Sequence, residues 1–458
     1  MDIKTIKSVH FIAIGGSVMH NMALALHEKG IKVSGSDDEI YEPAAGKLKN
    51  GGINAQVGWK PESINDSIDL VVLGMHAKED NPELLKAKEL GLPIYSFPEF
   101  IREWSENKQR IVVGGSHGKS TITSMIMHVL KHAGREFDYL VGAEVEGFPL
   151  TVSLSDAPVI VLEGDEYLAS KLEPVAKFLK YEHHIGLISG IAWDHKNVFT
   201  TFNEYTKQFD LFADQTPKAG SLVFNEEDDL TNIVGSKERE DVRQVPYKTH
   251  EAVIKEGKTF LKTKDFGEIP VNVFGKHNLQ NIAGALALLK LIGIEEKVFY
   301  DAIQSFKGAK NRLELLAENN GNIVFKDYAH SPSKVGATVD ALKEQYANAN
   351  LTIAYELHTF SSLNREFIKE YKGTLDKADQ AFVYLNPKNL KLNDAAAFSE
   401  ADIQKAFGNE NIKFFEDVES LVAQVEASKT GDKNTFAFLS SGKFNQINLK
   451  ELAEKLVS

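Results

Sequence analysis

The run Gly114-Gly115-Ser116-His117-Gly118-Lys119-Ser120-Thr121 carries the residue types that hold a nucleoside triphosphate. Small residues let backbone N–H groups curl around a phosphate, and a helix N-terminus adds partial positive charge. Lys119 has the reach for β- and γ-phosphates, and the Ser120 hydroxyl can ligate Mg²⁺. The glycines begin one place late for the standard pattern, whose first glycine would fall at Val113. A plain turn followed by Lys-Ser is the alternative. The flanks argue against it, because an apolar run (Ile111 to Val113) enters the loop and a helical apolar spacing (Ile122, Met125, Ile126, Val129, Leu130) leaves it.

Further polar groups fall at the ends of apolar runs. Pro158 to Leu162 ends in Glu163-Gly164-Asp165-Glu166, and Ile185 to Ile191 ends in Trp193-Asp194-His195. Acids at a strand's C-terminal end beside a phosphate loop are where a Mg²⁺ ligand belongs in an α/β sheet. Ser120, Glu163 and His195 therefore form the candidate metal set, and their recurrence at three strand ends carries more weight than any one alone. Near the N-terminus, Val9 to Ile14 leads into Gly15-Gly16-Ser17, and Asp37 follows about twenty residues on, where an acid accepts bonds from a ribose or a base. The later glycines of a dinucleotide fingerprint are missing, so a ligand-free Rossmann-like unit stays open here. Gly74 ends another strand, and His76 beyond it reads as surface or as ligand contact. His277, Asn278 and Asn281 open a helix where capping and base contact are both possible. Ser440-Ser441-Gly442-Lys443 reads as an anion-wrapping turn or a bare one.

The elements that must position these groups are strands alternating with helices, so the fold class is α/β. The expected plan is a βαβ opening, a phosphate-loop sheet with antiparallel strands over 240–274 at its edge, and a second Rossmann-like unit after about 309. The chain has 458 residues, enough for about three domains. A net charge of −13 argues against nucleic acid as partner. The absence of cysteine excludes disulfides, a thiol nucleophile and thiolate metal sites. No apolar run approaches a membrane span and no leader pattern opens the chain, so no membrane association and a cytoplasmic location are expected.

Taken in order, the motifs resemble the ATP-dependent Mur ligases, amide-forming enzymes of bacterial peptidoglycan metabolism. Gly115-Ser116-His117-Gly118-Lys119-Ser120 resembles the family's G-T-x-G-K-[ST], and Glu163-Gly164-Asp165-Glu166 its E-A-D-E with Gly164 for Ala. Asp194-His195 resembles D-H, His277-Asn278 with Asn281 resembles H-N-x-x-N, and Arg312-Leu313-Glu314 resembles R-x-E. Asp327-Tyr328-Ala329-His330 resembles D-Y-A-H, with Ser331 where a second His is usual.

The resemblance implies three domains: an N-terminal Rossmann-like domain (1–105) for the UDP-sugar, a central P-loop ATPase-like domain with a mostly parallel sheet (106–308), and a C-terminal Rossmann-like domain (309–458) for the amine. It implies Lys119, Glu163, His195 and Arg312 as catalytic residues. ATP would be bound by residues 115 to 121 with Asn278, Asn281, Arg312 and Asp327. Gly15, Gly16, Ser17, Asp37, Gly74 and His76 would hold the UDP-sugar. His330, His358, Ser441 and Lys443 would hold the amine. ATP and Mg²⁺ are the implied cofactors and a monomer or weak homodimer the implied state. No carbamylated lysine is expected, since its usual offset falls on Asp210.

Two branches fit the opening. One joins L-alanine to UDP-N-acetylmuramate, and the other recycles the murein tripeptide L-alanyl-γ-D-glutamyl-meso-diaminopimelate onto the same nucleotide sugar. The long connection from Glu163 to His195, with Tyr167 and Lys177-Phe178 inside it, and Leu439-Ser440-Ser441-Gly442-Lys443-Phe444 resemble the recycling branch. Leu357-His358-Thr359-Phe360 resembles the alanine branch. The expectation is the recycling ligase, with the alanine ligase as alternative. A catalytically inactive UDP-sugar-binding regulator is a further alternative, although it would usually have lost Lys119, Glu163 or His195. A folylpolyglutamate-type ligase would not need the first glycine turn.

Overall fold

The first sheet holds β1 (Ser8–Ile12), β2 (Lys32–Asp37), β3 (Gln56–Val57), β4 (Leu70–Leu73) and β5 (Ile94–Ser96), in the order β3-β2-β1-β4-β5. All its pairings are parallel. β1 is buried along its whole length, as a strand covered on both faces must be. The helix Pro82–Glu89 starts where Asn81 accepts hydrogen bonds from the N–H groups of Glu83 and Leu84, both at 3.0 Å, with Pro82 in the first turn. The computed structural model describes residues 3–170, 175–193, 198–392, 397–431 and 433–458.

The second sheet has seven strands: β6 (Gln109–Gly114), β7 (Asp138–Leu140), β8 (Val152–Ser153), β9 (Val159–Glu163), β10 (Ile185–Ile188), β11 (Ser221–Asn225) and β12 (Arg243–Tyr247). Their order is β12-β11-β10-β6-β9-β7-β8, and every pair but β7–β8 is parallel. The phosphate loop thus leaves the middle of a mostly parallel sheet, between the ends of β9 and β10. The expectation of edge antiparallel strands over 240–274 needs correction. Arg243–Tyr247 joins the edge in parallel, paired on one side only with β11. The strands β13 (Ala252–Lys255), β14 (Lys258–Lys262) and β15 (Glu268–Val271) form a separate antiparallel sheet. It is tied to the helix Pro332–Gln345, since Thr259 Oγ1 donates to Gln345 Oε1 at 2.8 Å and Gln345 Nε2 to the Gly257 carbonyl at 2.7 Å.

The last sheet holds β16 (Glu314–Asn319), β17 (Asn322–Asp327), β18 (Asn350–Glu356), β19 (Gln380–Tyr384), β20 (Lys413–Phe415) and β21 (Asn434–Leu439), ordered β16-β17-β21-β18-β19-β20. Only β16 runs antiparallel. One apolar cluster packs on each face: one includes Phe325, Val339, Ile353 and Tyr371, and the other includes Val324, Phe436, Leu452 and Leu456.

The chain divides into two compact units. Residues up to 193, 201–248 and 284–299 carry the first two sheets, and 249–283 with 300–458 carry the other two. Among the described residues no helix is long and apolar enough to cross a membrane.

Candidate active site

The loop after β6 is shaped by two glycines. Gly115 has φ +134°, and a Cβ there would lie 2.1 Å from Ser189 Oγ; Gly118 has φ +80° at the start of the helix Lys119–His132. Only glycine fits such backbone at no steric cost. Ser189, at the end of β10, clamps the loop from below by donating to the carbonyls of Gly114 (3.2 Å) and His117. The cradle this leaves, opening on a helix N-terminus, fits a polyphosphate.

Lys119 and Ser120 each meet an acid from the end of β9. Lys119 Nζ lies 2.5 Å from Glu166 Oε2 and donates to the Gly115 carbonyl at 2.6 Å. Burial works against its ammonium, but Glu166, Asp165 and Glu163 outweigh that and hold its pKa above the ordinary lysine value. Ser120 Oγ donates to Glu163 Oε1 at 2.8 Å, while Gly142 N–H donates to Glu163 Oε2 at 2.6 Å. A hydroxyl and a carboxylate are hard oxygen donors that suit Mg²⁺, which keeps several waters and takes few protein ligands. Among the described residues no group of three or more His, Cys, Asp or Glu is disposed to hold a metal ion. His195 and Asp194 lie outside the described residues.

At Gly164, where the family pattern has Ala, there is little room for a side chain. A Cβ there would meet Val112 Cγ1 at 2.7 Å and Phe178 Cβ at 3.0 Å. One residue of this site escaped the motif reading. Tyr205, fully buried in the helix Phe202–Asp214, puts its hydroxyl 2.6 Å from Ser116 Oγ and 3.2 Å from Glu166 Oε1. A buried aromatic at helical spacing carries no sequence signal that separates it from core.

In the first sheet the ends of β2, β1 and β4 lie side by side. Gly15 N–H donates to Asp37 Oδ2 at 2.8 Å, and a Cβ on Gly15 would stand 2.9 Å from that oxygen. Burial raises the Asp37 carboxyl above its ordinary pKa, against the pull of the Gly15 and Asp38 N–H groups and of nearby His76. Gly16 precedes the helix Ser17–Glu28, and Gly74 N–H donates to the Ile12 carbonyl at 2.8 Å. Ala13 has φ +66°, and the Cβ that Gly74 lacks would meet Ala13 Cβ at 2.8 Å.

In the other unit, the ends of β17, β21 and β18 are neighbours. Asp327 accepts from Leu313 N–H (3.2 Å) and Thr338 Oγ1 (2.5 Å). Arg312 stacks on the Tyr328 ring at 4.6 Å. His330 Nδ1 pairs with the Tyr328 carbonyl at 2.7 Å, and its own carbonyl accepts from Tyr355 and Tyr371. His358 Nδ1 lies 3.3 Å from Ser441 Oγ. Buried Glu356 accepts from Ser440 Oγ (2.5 Å) and Phe444 N–H (3.0 Å), and so holds the loop that carries Ser441 and Lys443. Phe444, Asn445 and Gln446 follow with φ of 44°, 53° and 65°, a left-handed turn that costs roughly 1–2 kcal/mol per residue and is kept by these bonds. Burial lowers the Lys326 pKa, and Lys310 and Lys443 add to the effect against Glu314, so positive charge gathers at this edge. Asn278 Nδ2 donates to the Phe274 carbonyl at 2.9 Å, and Asn281 Nδ2 lies 3.4 Å from Asn278 Oδ1.

Three family models match in succession: the Mur ligase family catalytic domain over 8–109, the Mur ligase middle domain over 113–289, and the Mur ligase glutamate ligase domain over 311–441. The UDP-N-acetylmuramate–L-alanine ligase of Carboxydothermus hydrogenoformans is 33% identical over 389 residues, 82% of each chain. Seven further relatives at 28–30% identity bear the same name. Among solved structures, UDP-N-acetylmuramate–alanine ligase from Thermotoga maritima shares the fold with a TM-score of 0.73, at 23% identity over 98% of each chain. A murein peptide ligase from Psychrobacter arcticus shares it with a TM-score of 0.66, at 21% identity over 98% of this chain and 99% of its own.

These likenesses overturn the expectation of the recycling branch. The features that pointed there answer to local packing. Phe178 is core, Lys177 pairs with Asp165 at 2.5 Å, and Lys177 N–H donates to the Tyr167 carbonyl at 2.9 Å. Gly442 is fixed by its neighbours, since a Cβ would meet His358 Cδ2 at 2.5 Å and Glu356 Oε2 at 2.8 Å.

Proposed function

The chain belongs to the Mur ligase family, an ATP-dependent ligase that forms carbon–nitrogen bonds, and on that premise we propose that it joins L-alanine to the lactyl carboxylate of UDP-N-acetylmuramate. The choice of L-alanine rests on the names of the curated relatives. The observation that carries ATP-driven activation is the convergence of Lys119, Ser120 and Glu163 on one glycine-shaped loop.

In this reading the muramate carboxylate oxygen attacks the γ-phosphorus of ATP, the bond to the bridging oxygen breaks and ADP leaves. The alanine amine attacks the acyl phosphate carbonyl, loses a proton, and phosphate departs. Such chemistry is largely positioning and neutralisation of crowded charge. Lys119 and the loop N–H groups hold the phosphates. Ser120 and Glu163 would hold Mg²⁺, which supplies charge neutralisation at the transferring phosphoryl group. We assign residues 1–105 with Gly15, Gly16, Ser17, Asp37, Gly74 and His76 to the UDP-sugar. Residues 106–308 take ATP, with Asn278 and Asn281 on the adenine side. Residues 309–458 take the amine through His330, His358, Ser441 and Lys443, while Arg312 and Asp327 serve the nucleotide.

The test is phosphate release with mass detection of product, using ATP, Mg²⁺ and UDP-N-acetylmuramate with L-alanine or with the tripeptide. Product with L-alanine is the expected outcome. Product with tripeptide alone would overturn the assignment.

A further inference from the structure

Tyr205 belongs to none of the motifs, yet its hydroxyl joins two parts of the phosphate-binding loop's surroundings. Proton counting gives the directions. The Glu166 carboxylate only accepts, so Tyr205 donates to it, and Ser116 in turn donates to Tyr205. Ser116 Oγ accepts the Ala192 N–H at 2.9 Å, and Lys119 donates to the other oxygen of Glu166 at 2.5 Å. Donation thus runs from the Ala192 backbone through Ser116 and Tyr205 to Glu166, where it meets the donation from Lys119 on the other carboxylate oxygen. Glu166, Ser116 and Tyr205 are all buried, so water does not readily replace a lost member.

We propose that Tyr205 is a positioning residue for nucleotide binding, holding the phosphate loop through Ser116 and aiming the Lys119 ammonium through Glu166. This rests on the reading of the loop as an ATP site. It also gives the Ser116 hydroxyl a role apart from phosphate contact. The side chain is turned inward and only 3% exposed, so its part is to transmit the position of Tyr205 to the loop. Lys119 keeps a second anchor in the Gly115 carbonyl at 2.6 Å, so losing the phenol weakens the site and does not abolish it.

The experiment is calorimetric titration of ATP with Mg²⁺ into the full chain, without UDP-sugar or amine. Tyr205→Phe removes only the hydroxyl, and a lost bond to a charged group corresponds to roughly a ten-fold weaker Kd. The KM for ATP should rise to match while kcat changes less than about three-fold. Ser116→Ala should do the same, Ser116→Thr should recover most of that loss, and Tyr205→Phe with Ser116→Ala should be no worse than the weaker single variant. Wild-type ATP affinity in Tyr205→Phe, or losses that multiply in the double variant, would overturn the proposal. Should Tyr205→Phe fail to fold, the Ser116→Ala and Ser116→Thr pair reads the same link from the loop side. A mistaken amine leaves this titration untouched. An ATP site that is itself misassigned shows as absence of binding in the wild type.

Discussion

Acid will loosen the helix that carries Tyr205 through one histidine. His183 is buried just before β10, its ring 4.1 Å from that of Phe212 on the helix Phe202–Asp214. Nε2 lies 2.8 Å from Thr216 Oγ1, and buried Nδ1 has no hydrogen-bond partner. Protonation would place a second N–H where nothing accepts it. Burial, with His184 and Arg110 adding to it, lowers the pKa from the ordinary 6.5 to about 3. Between these values the unfolded chain binds a proton that the native state refuses, so stability falls as pH drops below 6.5 and the loss is complete below about 3. At pH 5 this group alone costs about 2 kcal/mol relative to pH 7. Burial lowers the pKa of His20, His184 and His277 too, so the contribution of His183 must be isolated by difference. His183→Gln keeps a side chain that can bond Thr216 and removes the titration. Urea unfolding at pH 7 and pH 5 should show a pH-dependent loss smaller by about 2 kcal/mol in the variant, read on the transition of this unit because a chain of two units need not unfold in one step. The ring resonance that disappears in His183→Gln should show no titration from pH 7.5 to 4.5 in the wild type. A midpoint near 6.5, or an equal pH-dependent loss in both proteins, would refute the reasoning.

Two further outcomes follow from close contacts. Lys108 Nζ and Asp138 Oδ2 pair at 2.9 Å with side chains 2% and 0% exposed, so Lys108→Met should destabilise the fold by about 3–5 kcal/mol, read by thermal unfolding. A loss below about 1 kcal/mol would mean that water enters there. Gly115→Ala should abolish ATP binding while leaving far-UV circular dichroism intact, because the new Cβ would stand 2.1 Å from Ser189 Oγ on backbone with φ +134°. Calorimetric binding of ATP by that variant would contradict the loop geometry.

The parallel sheets and the gathering of polar groups at their strand ends were legible in the chain, for a physical reason. A strand buried on both faces has to be apolar throughout, so Val112 and Val161 stand out, and a polar residue directly after such a run falls at a sheet edge. Ser120 and Glu163 could therefore be placed together from spacing alone, and they lie 2.8 Å apart. Strand direction at a sheet edge was not legible. A short strand with exposed positions can pair in either direction, as the parallel Arg243–Tyr247 and the antiparallel Lys258–Lys262 both do within 240–274. Tyr205 was hidden because a phenol buried at 0% differs from Phe209 and Phe212, its neighbours on the same helix face, by one oxygen whose partners come from residues 116 and 166.

Substrate choice was misread through the same limit seen from the other side. Lys177, Phe178 and Gly442 resembled one branch, and each is accounted for by what it touches within its own unit: a carboxylate, an aromatic cluster, and a histidine ring at 2.5 Å from where a Cβ would stand. A residue held by packing follows whatever its neighbours are, so it tracks lineage before it tracks ligand. His358 is different. Its ring lies against Gly442 and Ser441 at the edge where β18 and β21 end, it is exposed, and its interior neighbour Glu356 already has its bonds filled by Ser440 and Phe444. Its Nδ1 meets the Ser441 hydroxyl at 3.3 Å, on the loop after β21. In the block that resembled the alanine branch, Leu357 is therefore held by the core, while the His358 ring stands exposed at the strand ends.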